Sequence, residues 1–262
     1  MEPPKPAPGT PSWTLNRPAA AAFVRCMITT IGFDADDTLW HNESIFEATH
    51  EKYRALLARW HDAATIDRRL FATEMRNLEL YGYGIKAHAL SCIETAIELS
   101  GGDIRAAEIR EIIAYAQGML AHPVELLAGA AEAVPQLAQS HQLLLITKGD
   151  LRDQERKLAK SGLATHFRHT EIVAEKDVAT YARVLRRRQI PPGEFLMVGN
   201  SLKSDILPAL DLGAYAVLVP YHLLWQAEQA APPPPAAAAN RFFQLETLRE
   251  LPALVARLNG QV

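Results

Sequence analysis

The acidic cluster at residues 34–38, DADDT, is the segment whose residue types are best suited to chemistry. Residues two apart on an extended segment point the same way, so Asp34, Asp36 and Thr38 begin on one face. Two carboxylates held this close repel each other unless a cation or a proton neutralises one of them. Magnesium, which takes oxygen ligands and keeps several waters, is the most economical counter-charge. The alternative is an acidic loop that caps the following helix.

Polar residues recur at three later points, each at the end of a further apolar run. They are Thr147 and Lys148, then Lys176, then Asn200 and Asp205. Because the carboxyl ends of parallel strands lie at one edge of a sheet, these side chains are predicted to lie close to Asp34. Each has a structural alternative: Thr147 caps a helix, Lys176 is a surface lysine, and Asp205 accepts from the amides of its own helix.

Short apolar, β-branched runs supply the strands that position these residues. The predicted strands cover residues 27–33, 142–147, 171–174, 194–199 and 214–220. Amphipathic helices are predicted at 151–161, 178–189 and 206–212, and a last helix at 242–258. Strand and helix alternate from residue 142 onward, which predicts an α/β fold with a Rossmann-like, mostly parallel sheet.

One long interval, between Thr38 and residue 142, shows helical patterns only. Apolar residues keep three- and four-residue spacing at about 45–60 and 104–120, and two further helices fit 66–80 and 85–99. An all-helical domain inserted directly after strand 1 is therefore predicted to cover the acidic cluster as a lid. Candidates for substrate contacts on or near it are Tyr81, Tyr83, Lys86 and His88, with His222 and Trp225 after the fifth strand.

Proline placement and the helical interval divide the chain. Six of the 17 prolines lie in the first 18 residues, so residues 1–24 are predicted to be a flexible extension. Residues 42–122 are predicted to form the helical cap. Residues 25–41 and 123–262 then form the Rossmann-like core, with a Pro/Ala loop at 230–239.

Taken in order, these motifs resemble those of the haloacid dehalogenase superfamily, and the resemblance covers about residues 26–222. The first motif, D-x-D-x-T, is matched by Asp34, Asp36 and Thr38, the second by Thr147, and the third by Lys176. The fourth, an acidic G-D-S loop followed by a second Asp, is matched by Gly199, Asn200, Ser201 and Asp205. Four motifs in order, each at a predicted strand end, are far more specific than any one alone.

The resemblance implies a role for each matched residue. Asp34 would be the nucleophile, and Asp36 the general acid and then the general base. Thr147 and Lys176 would complete the catalytic set by holding the phosphoryl oxygens. The implied substrate-binding residues are Thr38, Thr147, Lys148 and Lys176, and the implied Mg²⁺ ligands are Asp34, Asp36, Asn200 and Asp205.

Three positions depart from the family pattern. Asn200 stands where an aspartate is usual, so the choice of direct metal ligand between Asn200 and Asp205 stays open. Lys148 stands where many relatives have Asn, and either contacts substrate or is a solvated lysine. Asp37 stands where Gly is common, and it is assigned no catalytic role.

The expected function is that of a magnesium-dependent phosphatase acting on a small phosphorylated metabolite. Asp36 decides this choice, because dehalogenases proper and phosphonate-cleaving members lack an acid two positions after the nucleophile. The alternatives are a sugar-phosphate mutase, a 2-haloacid dehalogenase-type hydrolase, and a non-catalytic binding protein of the same fold, the last suggested by Asn200.

Bulk composition excludes other classes of partner. Lys and Arg number 27 against 30 Asp and Glu, for a formal net charge of −3, which is not the polycationic balance of a nucleic-acid or membrane-surface binder. The two cysteines, Cys26 and Cys92, lie far apart, which fits a reducing compartment. With no apolar run near roughly 20 residues and no secretory pattern at the N-terminus, a soluble, cytoplasmic protein is expected.

Overall fold

A computed structural model gives the fold of residues 27–234, 238 and 240–260. The predicted extension at residues 1–24 and part of the predicted loop at 230–239 lie outside these described residues. The centre of the fold is a six-stranded parallel sheet with the order β3-β2-β1-β4-β5-β6. Its strands are β1 (Thr30–Phe33), β2 (Gln142–Lys148), β3 (His169–Val173), β4 (Phe195–Gly199), β5 (Tyr215–Leu218) and β6 (Phe242–Gln244). The predicted Rossmann-like parallel sheet is confirmed.

Nine α-helices accompany the sheet in the described part of the chain. They are α1 (Glu43–Leu57), α2 (Ala63–Tyr81), α3 (Ile85–Leu99), α4 (Ala106–Ala121), α5 (Ala130–Ala138), α6 (Leu151–Lys160), α7 (Val178–Arg188), α8 (Leu207–Asp211) and α9 (Leu251–Leu258). Among the described residues, no helix combines the length and the hydropathy that crossing a membrane requires.

Helices cover both faces of the sheet. Successive strand residues point to opposite faces, and β2 shows the result: Leu143 and Leu145 belong to a buried cluster shared with α5 and α9. Leu144 and Ile146 belong to a second cluster shared with α7 and α8. Both faces of the sheet are therefore buried, which is why the strand sequences are continuous apolar runs.

The prediction of one helix over residues 242–258 is wrong in its first part. Residues Phe242–Gln244 form the sixth strand, which pairs with β5, and the helix begins only at Leu251. Phe242 packs against one buried cluster and Phe243 against the other. The two aromatic side chains therefore point to opposite faces of the sheet, which is the alternation of a strand. The residues that follow them have helical spacing instead.

The four helices α1 to α4 form the all-helical insertion predicted after strand 1. Their buried cluster consists of Tyr53, Leu57, Ile66, Leu70, Cys92, Ala96, Ile104 and Ile112. The Tyr53 hydroxyl donates to the backbone oxygen of Cys92 at 2.7 Å, which joins α1 to α3. The insertion thus has a core of its own, separate from the two clusters on the sheet.

Asp37 connects the first strand to this insertion. Its φ of 62° lies in the left-handed region, which is why glycine is common at this position. Its carboxylate accepts from the backbone amides of Asn42 at 2.8 Å and Glu43 at 3.0 Å, at the start of α1. Burial raises the pKa of Asp37 to about 8. The residue therefore has a capping role that glycine could not supply.

Asn259, directly after α9, joins the end of the chain to the residues that precede β1. Its Oδ1 accepts from the Ile28 amide at 2.7 Å, and its Nδ2 donates to the Ile28 carbonyl at 3.1 Å.

Asn259→Ala leaves both buried backbone groups of Ile28 unpaired, and each unpaired group lowers the stability by about 1–3 kcal/mol. We expect urea unfolding to show a stability loss of about 2 kcal/mol or more. Gln136→Ala, on the exposed side of α5, is the control and should stay within about 0.5 kcal/mol of the parent; an Asn259→Ala variant equally close to the parent would contradict this account.

Candidate active site

A cavity of about 200 Å³ lies at the carboxyl edge of the sheet, with walls from both the core and the helical insertion. Seven of the eight residues singled out from the sequence line it: Asp34, Asp36, Thr147, Lys148, Lys176, Asn200 and Asp205. The eighth, Thr38, contacts two of these through its hydroxyl group. The structure therefore brings together residues that are up to 171 positions apart in sequence (205 − 34).

Asp34 is at the centre of a buried group of charges. Lys176 Nζ donates to Asp34 Oδ1 and, at 2.8 Å, to Asp205 Oδ1, so one ammonium group lies between two carboxylates. Thr38 Oγ1 donates to Asp34 Oδ2 at 3.0 Å. The exposed fractions of Asp34, Lys176 and Asp205 are only 6%, 4% and 1%. Water therefore screens these charges very little.

Burial controls the ionisation of this group. It raises the pKa of Asp34 to about 7, against the opposing effect of Lys176 and with a further rise from Asp205. Burial alone would lower the pKa of Lys176, but Asp205 and Asp34 outweigh it and hold that pKa above its usual value. Lys176 is therefore a permanent cation between two acids, not a surface lysine.

The fourth motif presents Asp205 from a tight turn. Residues Leu202–Ile206 form one turn of π-helix, a feature often found at functional sites. Asp205 Oδ2 accepts from the Ser201 amide at 3.0 Å. Asn200 Oδ1 lies 3.4 Å from Thr38 Oγ1, so the loop also brings an amide oxygen towards Asp34. This arrangement depends on Gly199, because a Cβ built there would lie 2.2 Å from the Asp205 carboxyl carbon.

Gly199→Ala is expected to push Asp205 out of position. The side chain has no free space to move into, since it is held by Lys176 and Ser201, and overpacking of this kind costs about 1–3 kcal/mol. Thermal or urea unfolding measures the loss. Gly118→Ala on α4 is the matched control, because nothing lies within 4 Å of its Cβ position and the variant should be as stable as the parent or more so. Equal stability of the two variants would contradict this prediction, because it would show that Asp205 moves away from the added methyl group with no loss of stability.

Asp36 belongs to a second group of contacts. Its Oδ1 accepts from Trp40 Nε1 at 2.7 Å and from Lys157 Nζ at 2.5 Å, and its Oδ2 accepts from Gln154 Nε2 at 2.8 Å. Gln154 Nε2 also lies 3.1 Å from Thr147 Oγ1, so it links the first and second motifs.

Gln154 and Lys157 are site residues that the sequence reasoning missed. Both lie on α6, the helix that follows β2, and their separation of three residues places them on one face. That spacing, directly after the strand that carries Thr147, was the available signal. The sequence could not show which residue the face contacts.

Lys148 lies in the wall between the core and the insertion. Its Nζ is 2.6 Å from Glu228 Oε1 and 3.3 Å from Glu175 Oε1, and it lies 4.2 Å from the centre of the Tyr83 ring. The Tyr83 hydroxyl in turn donates to Glu175 Oε2 at 2.7 Å. Burial would raise the pKa of Glu228, but Lys148 lowers it to about 2. Glu228 was also missed, since nothing in the loop after β5 marks it as a partner of Lys148.

The other candidates near the lid divide into two groups. Tyr83, His88 and Trp225 line the cavity. Tyr81 and His222 are exposed, and Lys86, also exposed, pairs with Asp150 at 2.7 Å. Tyr83 and His88 therefore supply cavity wall from the insertion, and Trp225 supplies it from the segment after β5.

Comparison with known proteins agrees with this arrangement. A family model for haloacid dehalogenase-like hydrolases matches residues 28–213. A haloacid dehalogenase-like family hydrolase from Xanthomonas campestris has a similar crystal structure, with a TM-score of 0.78 and 40% sequence identity. That match covers 89% of this chain and 93% of the other. Among curated protein sequences, none matches the chain.

More distant structures share the fold. A predicted phosphoglycolate phosphatase from Haemophilus somnus 129PT has a TM-score of 0.57 at 16% identity, over 88% of this chain and 99% of that one. A 2-haloacid dehalogenase from Pseudomonas syringae pv. tomato DC3000 has a TM-score of 0.58 at 21% identity, over the same shares. Identities this low show the fold alone. The family model and the Xanthomonas structure show more: this chain belongs to the haloacid dehalogenase-like hydrolase family.

Proposed function

We propose that the protein is a magnesium-dependent phosphatase that hydrolyses a small phosphorylated metabolite through an aspartyl-phosphate intermediate. The observation that carries the proposal is Asp36, a second acid in the cavity two residues after Asp34. Its carboxylate is fixed by Lys157 and Gln154. Phosphate esters need a proton for the leaving oxygen, and in this proposal Asp36 supplies it.

The first half of the reaction forms a bond between Asp34 and phosphorus. An Asp34 carboxylate oxygen attacks, the bond from phosphorus to the leaving oxygen breaks, and Asp36 gives that oxygen its proton. Lys176 and the hydroxyl of Thr147 bind the transferring phosphoryl oxygens, where negative charge is concentrated. For Lys176 this means exchanging part of its present contact with Asp34 for substrate.

The second half returns the protein to its starting state. Asp36, now ionised, takes a proton from water as the water oxygen attacks phosphorus, and the bond to Asp34 breaks. Phosphate is released and Asp36 is protonated again. The contacts from Lys157 and Gln154 hold the Asp36 carboxyl in one place while it alternates between acid and base, which is the orientation that proton transfer requires.

Mg²⁺ fits the donors present in this site. Asp34 and Asn200 bring a carboxylate and an amide oxygen to the ends of β1 and β4, and the Thr38 hydroxyl lies within 3.4 Å of both. Two buried carboxylates, Asp34 and Asp205, face the single ammonium of Lys176. A hard dication with oxygen ligands would neutralise the excess charge, and when bound it supplies charge neutralisation on the phosphate and the nucleophile.

The four ligands implied by the resemblance differ in the number of hydrogen bonds that they accept. Asp34 and Asp205 each accept from two donors, the Asp36 carboxylate accepts from three, and the Asn200 amide oxygen accepts from Thr38. Because the Thr38 hydroxyl lies within 3.4 Å of both Asp34 Oδ2 and Asn200 Oδ1, we assign Asp34 and Asn200 as the side chains that hold the ion directly. Asp205 then supports it through charge, and the Asp36 carboxylate serves proton transfer.

Asp36→Asn should discriminate between leaving groups. The variant has no proton to give, so hydrolysis of an alkyl phosphate should fall by about 10²–10⁴-fold. An aryl phosphate with an acidic phenol needs little protonation, so its first step should lose much less. Steady-state and burst kinetics on the two esters measure the difference. Equal losses in the burst phase, which reports the first step, would contradict a role for Asp36 in protonating the leaving oxygen.

The direct test of the proposed function is a panel of phosphate monoesters with Mg²⁺ present or removed by a chelator. We expect phosphate release from at least one ester, abolished by the chelator. A parallel assay measures chloride release from 2-haloacids without added metal. Chloride release with no phosphate release would replace the phosphatase with a dehalogenase, and ligand binding without turnover of any ester would identify a binding protein.

A further inference from the structure

A second cluster of metal-binding residue types lies within the helical insertion, away from the four motifs. His50 of α1, Glu74 of α2 and His88 of α3 each offer a ligand atom, and these atoms all lie within 4.8 Å of one another. His88 is buried, and the other two are partly buried. All three line the same cavity as Asp34. None of them takes part in the reaction proposed above.

The hydrogen bonds of this cluster leave one nitrogen unused. Among the described residues, the buried Nε2 of His50 has no hydrogen-bond partner. An imidazole nitrogen that is both buried and unpaired is costly, so such a nitrogen normally has a partner. The His50 and His88 rings lie with their centres 5.1 Å apart. The unused nitrogen of His50 is therefore close to a second imidazole.

Both ring nitrogens of His88 have a neighbour that orients the ring. Its Nδ1 lies 2.7 Å from Glu74 Oε1, and its Nε2 lies 3.4 Å from the sulfur of Cys92, one helical turn further along α3. Histidine ligands commonly have their second nitrogen fixed by a neighbouring group, which sets the orientation of the ring. Cys92 can do this for His88, and a metal at Nδ1 would then replace the present hydrogen bond between Nδ1 and Glu74.

We propose that His50, Glu74 and His88 bind a borderline transition-metal dication, with Zn²⁺ the best fit. Two imidazoles and one carboxylate form a ligand set that zinc accepts, and three protein ligands leave a fourth position open. Because the three residues line the cavity, water or another small ligand can reach that position. The site is chemically distinct from the oxygen ligands around Asp34, which suit Mg²⁺. The proposal does not depend on the phosphatase reaction.

Metal binding in the presence of excess Mg²⁺ tests this site. The full chain is dialysed against limiting Zn²⁺, and bound zinc is measured together with the affinity from titration calorimetry. We expect one Zn²⁺ per chain that Mg²⁺ does not displace. His50→Ala should weaken binding by at least about tenfold, as should Glu74→Gln. His61→Ala is the matched control, an exposed histidine of the same insertion whose loss should leave zinc binding unchanged.

Two further measurements keep the result interpretable. His50→Ala removes a ring nitrogen that has no partner among the described residues, so the variant should still unfold cooperatively without metal; Zn²⁺ should raise the melting temperature of the parent only. Bound Co²⁺ should give the intense visible bands of a four-coordinate site with imidazole ligands, and these should vanish in His50→Ala. Zinc binding that survives both cluster variants, or that is lost in Asp205→Asn instead, would overturn the proposal.

Discussion

Asp34→Asn is expected to reduce phosphate release by at least about 10⁴-fold, which corresponds to roughly 5.5 kcal/mol of transition-state stabilisation at about 1.36 kcal/mol per decade. The asparagine amide is nearly isosteric and still fits between Thr38 and Lys176. It is a far poorer nucleophile than a carboxylate and cannot form the phosphoryl intermediate. The measurement is phosphate release under saturating ester and Mg²⁺.

A matched variant separates chemistry from folding. Asp211→Asn makes the same change at an exposed position at the end of α8, and it should retain the parent activity. Urea unfolding should show that Asp34→Asn remains folded, because the substitution removes one buried charge rather than a packing group. Phosphate release by Asp34→Asn at the rate of the parent would show that Asp34 is not the nucleophile.

Lys176→Met is expected to lower the free energy of unfolding by about 3–5 kcal/mol and to abolish phosphate release. The Lys176 side chain is 2% exposed and pairs with two carboxylates that are also buried. Removing it leaves Asp34 and Asp205 facing each other without a counter-charge, and breaking a buried pair on one side has a cost of this size. Urea unfolding measures the stability, and Mg²⁺ should restore part of it in the variant.

A double variant identifies the source of that loss. Asp205→Asn combined with Lys176→Met removes one of the two carboxylates that are left without a counter-charge. The stability loss of the double variant should therefore be smaller than the sum of the losses of the two single variants. Lys160→Met, at the exposed end of α6, controls for the loss of a lysine and should change stability by less than about 0.5 kcal/mol. Strict additivity of Lys176 and Asp205 would contradict the charge network described for the site.

The sequence predicted the sheet well because its strands are buried on both faces. The run that ends at Asp34 and the runs that precede Thr147 and Asn200 are almost entirely apolar, and short runs of this kind are typical of strands in the centre of a parallel sheet. Once the strands were known, the shared carboxyl edge placed their polar ends together. That topology brings Asp34, Lys176 and Asp205 to the same edge, and the turn after Gly199 then sets the position of Asp205.

The contacts that the sequence missed depend on side-chain directions between distant segments. Lys157 reaches Asp36 across 121 positions, and Glu228 reaches Lys148 across 80. Neither pairing leaves a periodic pattern, because each involves single residues on elements that have other roles. Strand β6 was missed for a related reason: three residues are too few to establish a period of two before the helical pattern of α9 begins.

The covalent intermediate is the central claim, and a rapid acid quench tests it most directly. The protein is mixed with Mg²⁺ and an excess of a phosphate ester that it hydrolyses. The reaction is quenched within the first turnover and analysed by intact and peptide mass spectrometry. We expect the added mass of one phosphoryl group on the peptide that carries Asp34, absent from Asp34→Asn. Rapid phosphate release with no phosphorylated protein at any quench time, or phosphorylation at another residue, would contradict the account.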